Sequence, residues 1–288
     1  MVGLGGWLSA RALVPLLIPP LYLAIVSVVE RRWGQAWSGR LTAIPTQTTT
    51  VVLIVALTDG PALAGAVAGG ALLGVISLSG FAAVYGAAST RSTVGWSVAS
   101  ALGGFGGLAG LTFVLHGPSF VDAGAAAVAV GLTVILLRRL GTGTTPGRRR
   151  AIGLPLRMGL ATALVLGVAV SVAFVGPIAA GTLGVFPIIT APMTTLNHEE
   201  SGPRAARRYL EGLEWGLFGG IAFFLALNQL LASQGIVGAF AISTPVLVVV
   251  LLVAFFLPER LLEGARGRRR AAVPGPTSPG REMGPAGR

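Results

Sequence analysis

The chain has no cysteine among its 288 residues. That excludes disulfides and thiolate metal sites and leaves the redox compartment open. It has no lysine either, so every basic side chain is an arginine. Charged residues amount to only 11%, against 53% hydrophobic residues and a mean hydropathy of +0.80. So little charge excludes an ordinary soluble core and points to an all-α integral membrane protein with several spans. There are two histidines, His116 and His198, far apart in the chain, and no metal-ligand grouping forms around them. No G-x-S-x-G, P-loop or H-E-x-x-H string occurs, so neither an enzyme nor a bound cofactor or metal is expected. The net charge of +11 invites a nucleic-acid partner. The arginines, however, sit in short clusters between apolar runs, which membrane topology explains better; the expected partner is the lipid bilayer, with no nucleic acid.

What the chain has is a self-similarity. Residues 38–61, SGRLTAIPTQTTTVVLIVALTDGP, slide onto residues 180–203, AGTLGVFPIITAPMTTLNHEESGP, by 142 positions without a gap. Gly39 then falls on Gly181, Leu41 on Leu183, Pro45 on Pro187, Thr48 on Thr190, Gly60 on Gly202 and Pro61 on Pro203. The register continues through Gly70 and Gly212, Gly74 and Gly216, and Phe81 and Phe223. Alanine and leucine matches carry little weight in such a composition. Two G-x-L-x-x-x-P strings and two Gly-Pro pairs at one offset carry more, and they read as an internal repeat.

Apolar runs predict nine transmembrane helices at 12–29, 40–58, 62–88, 94–115, 121–137, 158–175, 181–197, 204–231 and 236–257. Most are near the roughly 20 residues that a helix needs to cross a bilayer. The first is read as uncleaved, because its charges Glu30, Arg31 and Arg32 follow it. Four regions result: a first repeat at 1–137, a basic cytoplasmic loop at 138–157, a second repeat at 158–257, and a basic Pro- and Gly-rich tail at 258–288 expected to lack structure. The arginine-bearing loops all fall on one side under this count, so the N-terminus is expected outside and the C-terminus in the cytoplasm of a bacterial inner membrane. Five spans separate the starts of the second and the seventh, an odd number. The repeat, spans one to five and six to nine, is therefore expected to be inverted, as in many secondary transporters.

Candidate site residues follow from the two prolines. A mid-helix proline costs about 3 kcal/mol and is tolerated at a first helical position. Non-helical approaches at 39–44 and 181–186, relaxed by Gly39 and Gly181, are thus expected to lead into helices starting at Pro45 and Pro187. Their N-termini would favour an anion or a carboxylate. Hydroxyls and an amide gather there: Thr46, Gln47, Thr48, Thr190, Thr194 and Thr195. Threonine often bonds its own helix instead, whereas the Gln47 amide needs partners. Ionisable groups within spans are site candidates by default, and the eighth span carries Glu211 and Glu214. Glu214 sits deeper and is the preferred site for a proton or a substrate charge. Glu211, four residues after Arg207, is open to an intrahelical ion pair. Glycines four apart, such as Gly65 and Gly69, Gly103 and Gly107, and Gly212 and Gly216, read as helix-packing seams.

The string A-G-T-L-G-V-F-P at residues 180–187, followed by N-H-E-E-S-G, resembles the core of the small GlpM-type inner-membrane proteins. The likeness covers roughly residues 154–231 and is absent from the first half around Pro45. It implies an integral membrane protein and no substrate. The whole reads as a secondary transporter of a small polar or anionic solute, with room for a homo-oligomer. The alternative is a structural or accessory membrane subunit. A wetted site at Gln47 and Thr194 separates the two.

Overall fold

The computed structural model of the chain describes residues 10–140 and 176–271. About nine in ten of these are helical, and no strand occurs among them. The helices are α1 (Ala10–Trp33), α2 (Gln35–Thr42), α3 (Thr46–Thr58), α4 (Pro61–Ala88), α5 (Val94–Leu115), α6 (Ser119–Arg139), α7 (Gly176–Gly184), α8 (Thr190–Ser201) and α9 (Pro203–Ala271). The expected sixth span and most of the basic loop lie outside the described residues. Helix α9 runs past Pro258 to Ala271, so the start of the tail is helical where its composition suggested otherwise.

Five stretches are long and apolar enough to cross a membrane: Gln35–Thr58, which joins α2 and α3, then α4, α5, α6, and Pro203–Phe256 within α9. The last is 54 residues long, about 80 Å of helix at 1.5 Å per residue, where a bilayer core needs about 30 Å. Gly235, at φ 67, interrupts it. Helix α4 is the buried centre, packed by α3, α5, α6, α7 and α9. Asn228 Nδ2 donates to Gly65 O at 2.8 Å and Ser79 Oγ to Glu214 Oε2 at 2.9 Å. Numbers rise along α4 while they fall along α9, so these two helices are antiparallel.

Backbone breaks occur in pairs 142 residues apart. Gly34 (φ 88) matches Gly176 (φ 77), and Gly60 (φ 98) matches Gly202 (φ 83). Gly60 and Gly202 each precede the proline that opens the next helix, Pro61 or Pro203. Glycine takes the left-handed turn without strain, and proline suits the position after it. Between α2 and α3 the chain leaves the helix only at 43–45, and between α7 and α8 at 185–189. The turn bonds also match: Ile44 N to Leu41 O (3.0 Å) with Phe186 N to Leu183 O (2.9 Å), and Thr46 N to Ile44 O (2.8 Å) with Ile188 N to Phe186 O (2.7 Å).

Gly39 and Gly181 correct the sequence reading. Both lie inside helices, α2 and α7, and neither relaxes a turn. They serve close approach instead. A Cβ on Gly39 would lie 2.0 Å from Tyr209 O, and one on Gly181 2.0 Å from Val67 O. Tyr209 and Val67 are themselves 142 apart. Gly212 meets Ala36 O in the same way, and Gly70 meets Ile178 O. Thus α2 packs on α9, and α7 packs on α4. Each proline-interrupted segment therefore packs on a helix of the opposite half of the chain. The seam also fails on α5, where Gly103, Gly106, Gly107 and Gly110 have open space beside them.

Candidate binding site

The two interrupted segments meet. Thr48 Oγ1, in the first turn of α3, donates to Gly184 O at the end of α7 at 2.7 Å. Tyr209 OH, from α9, donates to Thr42 Oγ1 at the end of α2 at 3.0 Å and also bonds Thr190 at the start of α8. The start of each second half-helix therefore lies against the end of the opposite first half-helix, and the segments cross at their breaks. Beside this crossing is a cavity of about 60 Å³, room for about four waters. Its walls include Thr42, Ile44, Pro45, Thr46 and Gln47 from the first break and Gly184, Phe186, Ile189 and Thr190 from the second. Ala43, Val185, Tyr22, Val75, Leu78, Leu217, Gly220 and Phe224 complete it. Val75 and Leu217 are 142 apart, as are Ile44 and Phe186, and Gln47 and Ile189.

Of the sequence-derived candidates, Pro45, Thr46, Gln47 and Thr190 line the cavity. Thr48 spans the crossing. Pro187 sits in the second break, three residues before α8 begins at Thr190, so that half-helix starts later than the proline suggests. Thr194 and Thr195 are bonded back to their own helix, to Thr190 O at 2.6 Å and Ala191 O at 2.8 Å, and neither lines the cavity. Sequence reasoning missed Tyr22, Phe224 and the pair Val75 and Leu217. The offset itself could have found Phe186, the residue opposite Ile44; nothing local marks Tyr22 or Phe224.

Unpaired backbone groups border the breaks: the carbonyls of Ala43 and Val185 accept no hydrogen bond among the described residues, and several N–H groups lack an acceptor. Proline supplies no N–H and cannot cap a helix with a side-chain oxygen, so the first turn of α3 begins uncapped. The N–H groups of Gln47 and Thr48 have no acceptor among the described residues, and neither do those of Ile189, just before α8, and Thr190, its first residue. Gln47 Nε2 is buried without a partner. No lining residue carries a charge.

The acidic candidates stand away from the cavity. Glu211 is ion-paired with Arg138 of α6 at 2.6 Å, so its partner comes from another helix and not from Arg207 on its own. Glu214 is wholly buried between α4 and α9; Oε2 accepts from Ser79, and Oε1 has no partner. Near the end of α8, buried His198 shares a 3.0 Å hydrogen bond between Nδ1 and Tyr85 OH. Its pKa is lowered, first by burial and then by the charge on Arg207. Glu30, after the first apolar run, is shifted up by burial despite hydrogen bonds from Asn197 and Ser38. No group of three or more metal-ligating side chains forms among the described residues. No protein family, characterised protein or solved structure matches this chain.

Proposed function

We propose that the chain is a secondary transporter of a small polar or anionic solute, built as an inverted repeat of nine spans in a bacterial inner membrane. The observation that carries this reading is the cavity at the crossing of two helices interrupted at equivalent residues. Irregular backbone at membrane depth is tolerated where protein or a wet cavity covers it, and transporters with inverted repeats bind their substrates at such breaks. The matched glycine turns, the exchanged packing of α2 and α7, and the antiparallel run of α4 against α9 support the inversion. The two parts of α9 on either side of Gly235 supply the last two spans, and α7 with α8 the seventh. Trp33 and Trp96 are exposed and close in sequence to Arg31, Arg32 and Arg91, as aromatic residues are at a membrane interface; the arginine bias of that side supports a cytoplasmic face there and an N-terminus outside. Rocking of one half against the other about the crossing opens the cavity to each side in turn. Glu214, a lone buried carboxyl with one free oxygen, is the proton-coupling group of this scheme.

The test uses the natural lack of cysteine. Thr46→Cys and Thr190→Cys should each react with a small water-soluble thiol reagent in membranes. Absence of labelling at both, from either side, would leave a dry bundle and favour an accessory subunit.

A further inference from the structure

We infer that Glu30 is a second proton-binding site of the protein, placed on one side of the crossing and linked to the cavity. The inference deepens the transport reading and rests on it.

Four helices meet at this carboxyl. Glu30 lies near the end of α1. It accepts hydrogen bonds from Ser38 Oγ of α2 at 3.3 Å and from the side-chain amide of Asn197 in α8. Tyr209 of α9 is close enough to feel its charge. Ser38 and Asn197 are buried, while Glu30 itself is half-buried, so water reaches the carboxyl from one side only. The other charged groups around it are Glu200 on α8 and Arg31 on its own helix, one of each sign. Burial is the largest influence on Glu30 and raises its pKa. The ionised form ties α1 to α2 and α8 through charge-assisted hydrogen bonds, about twice as strong as neutral ones. A proton turns one carboxyl oxygen into a donor. Asn197 Oδ1, buried without a partner, is an acceptor on the amide that already meets it.

The same residues reach the cavity. Ser38 donates to Glu30 and, through its carbonyl, accepts from Thr42 Oγ1 at 2.9 Å; Thr42 Oγ1 accepts in turn from Tyr209 OH. Tyr209 also bonds Thr190, and Thr42 and Thr190 both line the cavity. The path runs through a backbone carbonyl, which has no proton to pass on, so it conveys position and not protons. A shift of Ser38 against Glu30 moves the Thr42 end of α2 and, through Tyr209, the start of α8.

This path exists beside one break only. At the offset of 142, the counterparts of Ser38, Asn197 and Tyr209 are Ala180, Val55 and Val67, and that of Glu30 is Val172. Tyr209 and Val67 are equivalent in space as well, because their carbonyls abut the matched Gly39 and Gly181. The second break forms with apolar residues at these places, so the fold does not need the polar set.

The test compares Thr46→Cys alone with Thr46→Cys combined with Glu30→Gln, in nanodiscs, using a small water-soluble thiol reagent. Glutamine stands in for the protonated acid. At each pH the ratio of the two rates cancels the ionisation of the thiol itself. The Glu30→Gln protein should react at least threefold faster at about pH 8, and the ratio should fall toward one by about pH 5, where an ordinary glutamate, with a pKa of about 4.3, is still mostly ionised. Tyr209→Phe, added to both proteins, should hold the ratio near one throughout. Attachment of a hydrophobic carbodiimide to Glu30, mapped by mass spectrometry, should still increase in that variant as pH falls, because the proton site remains. A ratio of one at every pH without Tyr209→Phe, or a ratio that stays constant down to about pH 5, would overturn the inference and leave the transport reading standing. A pH-dependent ratio that survives Tyr209→Phe would overturn the link as well. Cysteines that never react in either protein would remove the wet cavity, and both readings with it.

Discussion

The segments from Gly34 to Gly60 and from Gly176 to Gly202 share their turns, their breaks and their glycine contacts, yet differ in polar content. Arg40 in α2 is buried; Nη1 donates to Phe255 O at 3.1 Å, and the guanidinium lies over the Trp37 and Phe255 rings. Its counterpart in α7 is Thr182, whose hydroxyl reaches Gly70 O and Ile178 O, each at 3.0 Å. On the helices that receive them, Glu214 in α9 stands opposite Leu72 in α4, both wholly buried. The C-terminal part of α8 carries His198 and Glu199, where α3 has Ala56 and Leu57. Backbone geometry is thus what the two segments have in common, and the ionisable groups are what each has alone. The cavity lies where the shared backbone geometry brings the two breaks together, and the acidic and basic side chains lie outside its walls.

The shared part breaks most severely. Gly39→Ala and Gly181→Ala each drive a methyl into backbone that has no room to move. Both should cost about 3 kcal/mol or more and be seen as loss of monodisperse protein in size exclusion. The two effects should be alike; tolerance of one alone would dissolve the equivalence. Thr182→Arg should come next, because Thr182 is 3% exposed and its hydroxyl is already committed to Gly70 O and Ile178 O. Copying in the other direction, Arg40→Thr should keep the fold and lower stability by about 2 kcal/mol, the worth of a hydrogen bond from a charged group, read as a fall in thermal midpoint.

The differing part is sharpened by Glu214→Leu, which writes the first half's residue into the second. Thermal stability should hold within about 1 kcal/mol, since a buried carboxyl with one unpaired oxygen contributes little, while coupled transport should fall to background. Retained transport would reduce Glu214 to packing.

A smaller effect is pH-dependent. His198 has its folded pKa below the unfolded value of about 6.5, so the unfolded chain takes up the proton first. Stability should therefore be unaffected above that pH and decline as pH falls below it. His198→Asn should flatten this slope, and the difference between the two melting profiles isolates it from the opposite contribution of Glu30. An unchanged slope would mean that His198 does not titrate differently on folding.

The breaks in the helices were legible because they are local chemistry. Glycine before proline, and proline in an apolar run, constrain the backbone wherever they occur, and the common offset gave them weight. Pro45, Thr46, Gln47 and Thr190 were found for that reason. Gly39 and Gly181 were found but misread: their meaning lies in carbonyls of residues far along the chain, Tyr209 and Val67, which no local pattern reveals. The partner of Glu211 was likewise Arg138, on a helix 73 residues away, and not the arginine four places before it. Exchange of packing partners between the halves is a tertiary property, to which hydropathy is blind. Thr194 and Thr195 looked like ligands by type, and their own helix carbonyls claimed them.

The account stands on the inversion of the two segments, and their far ends report it directly. Asp59 ends the first and Ser201 the second, and both are exposed. In intact cells, a membrane-impermeant thiol reagent should label Asp59→Cys from outside and leave Ser201→Cys untouched until the membrane is opened. Labelling of both from the same side would make the halves parallel and contradict the account.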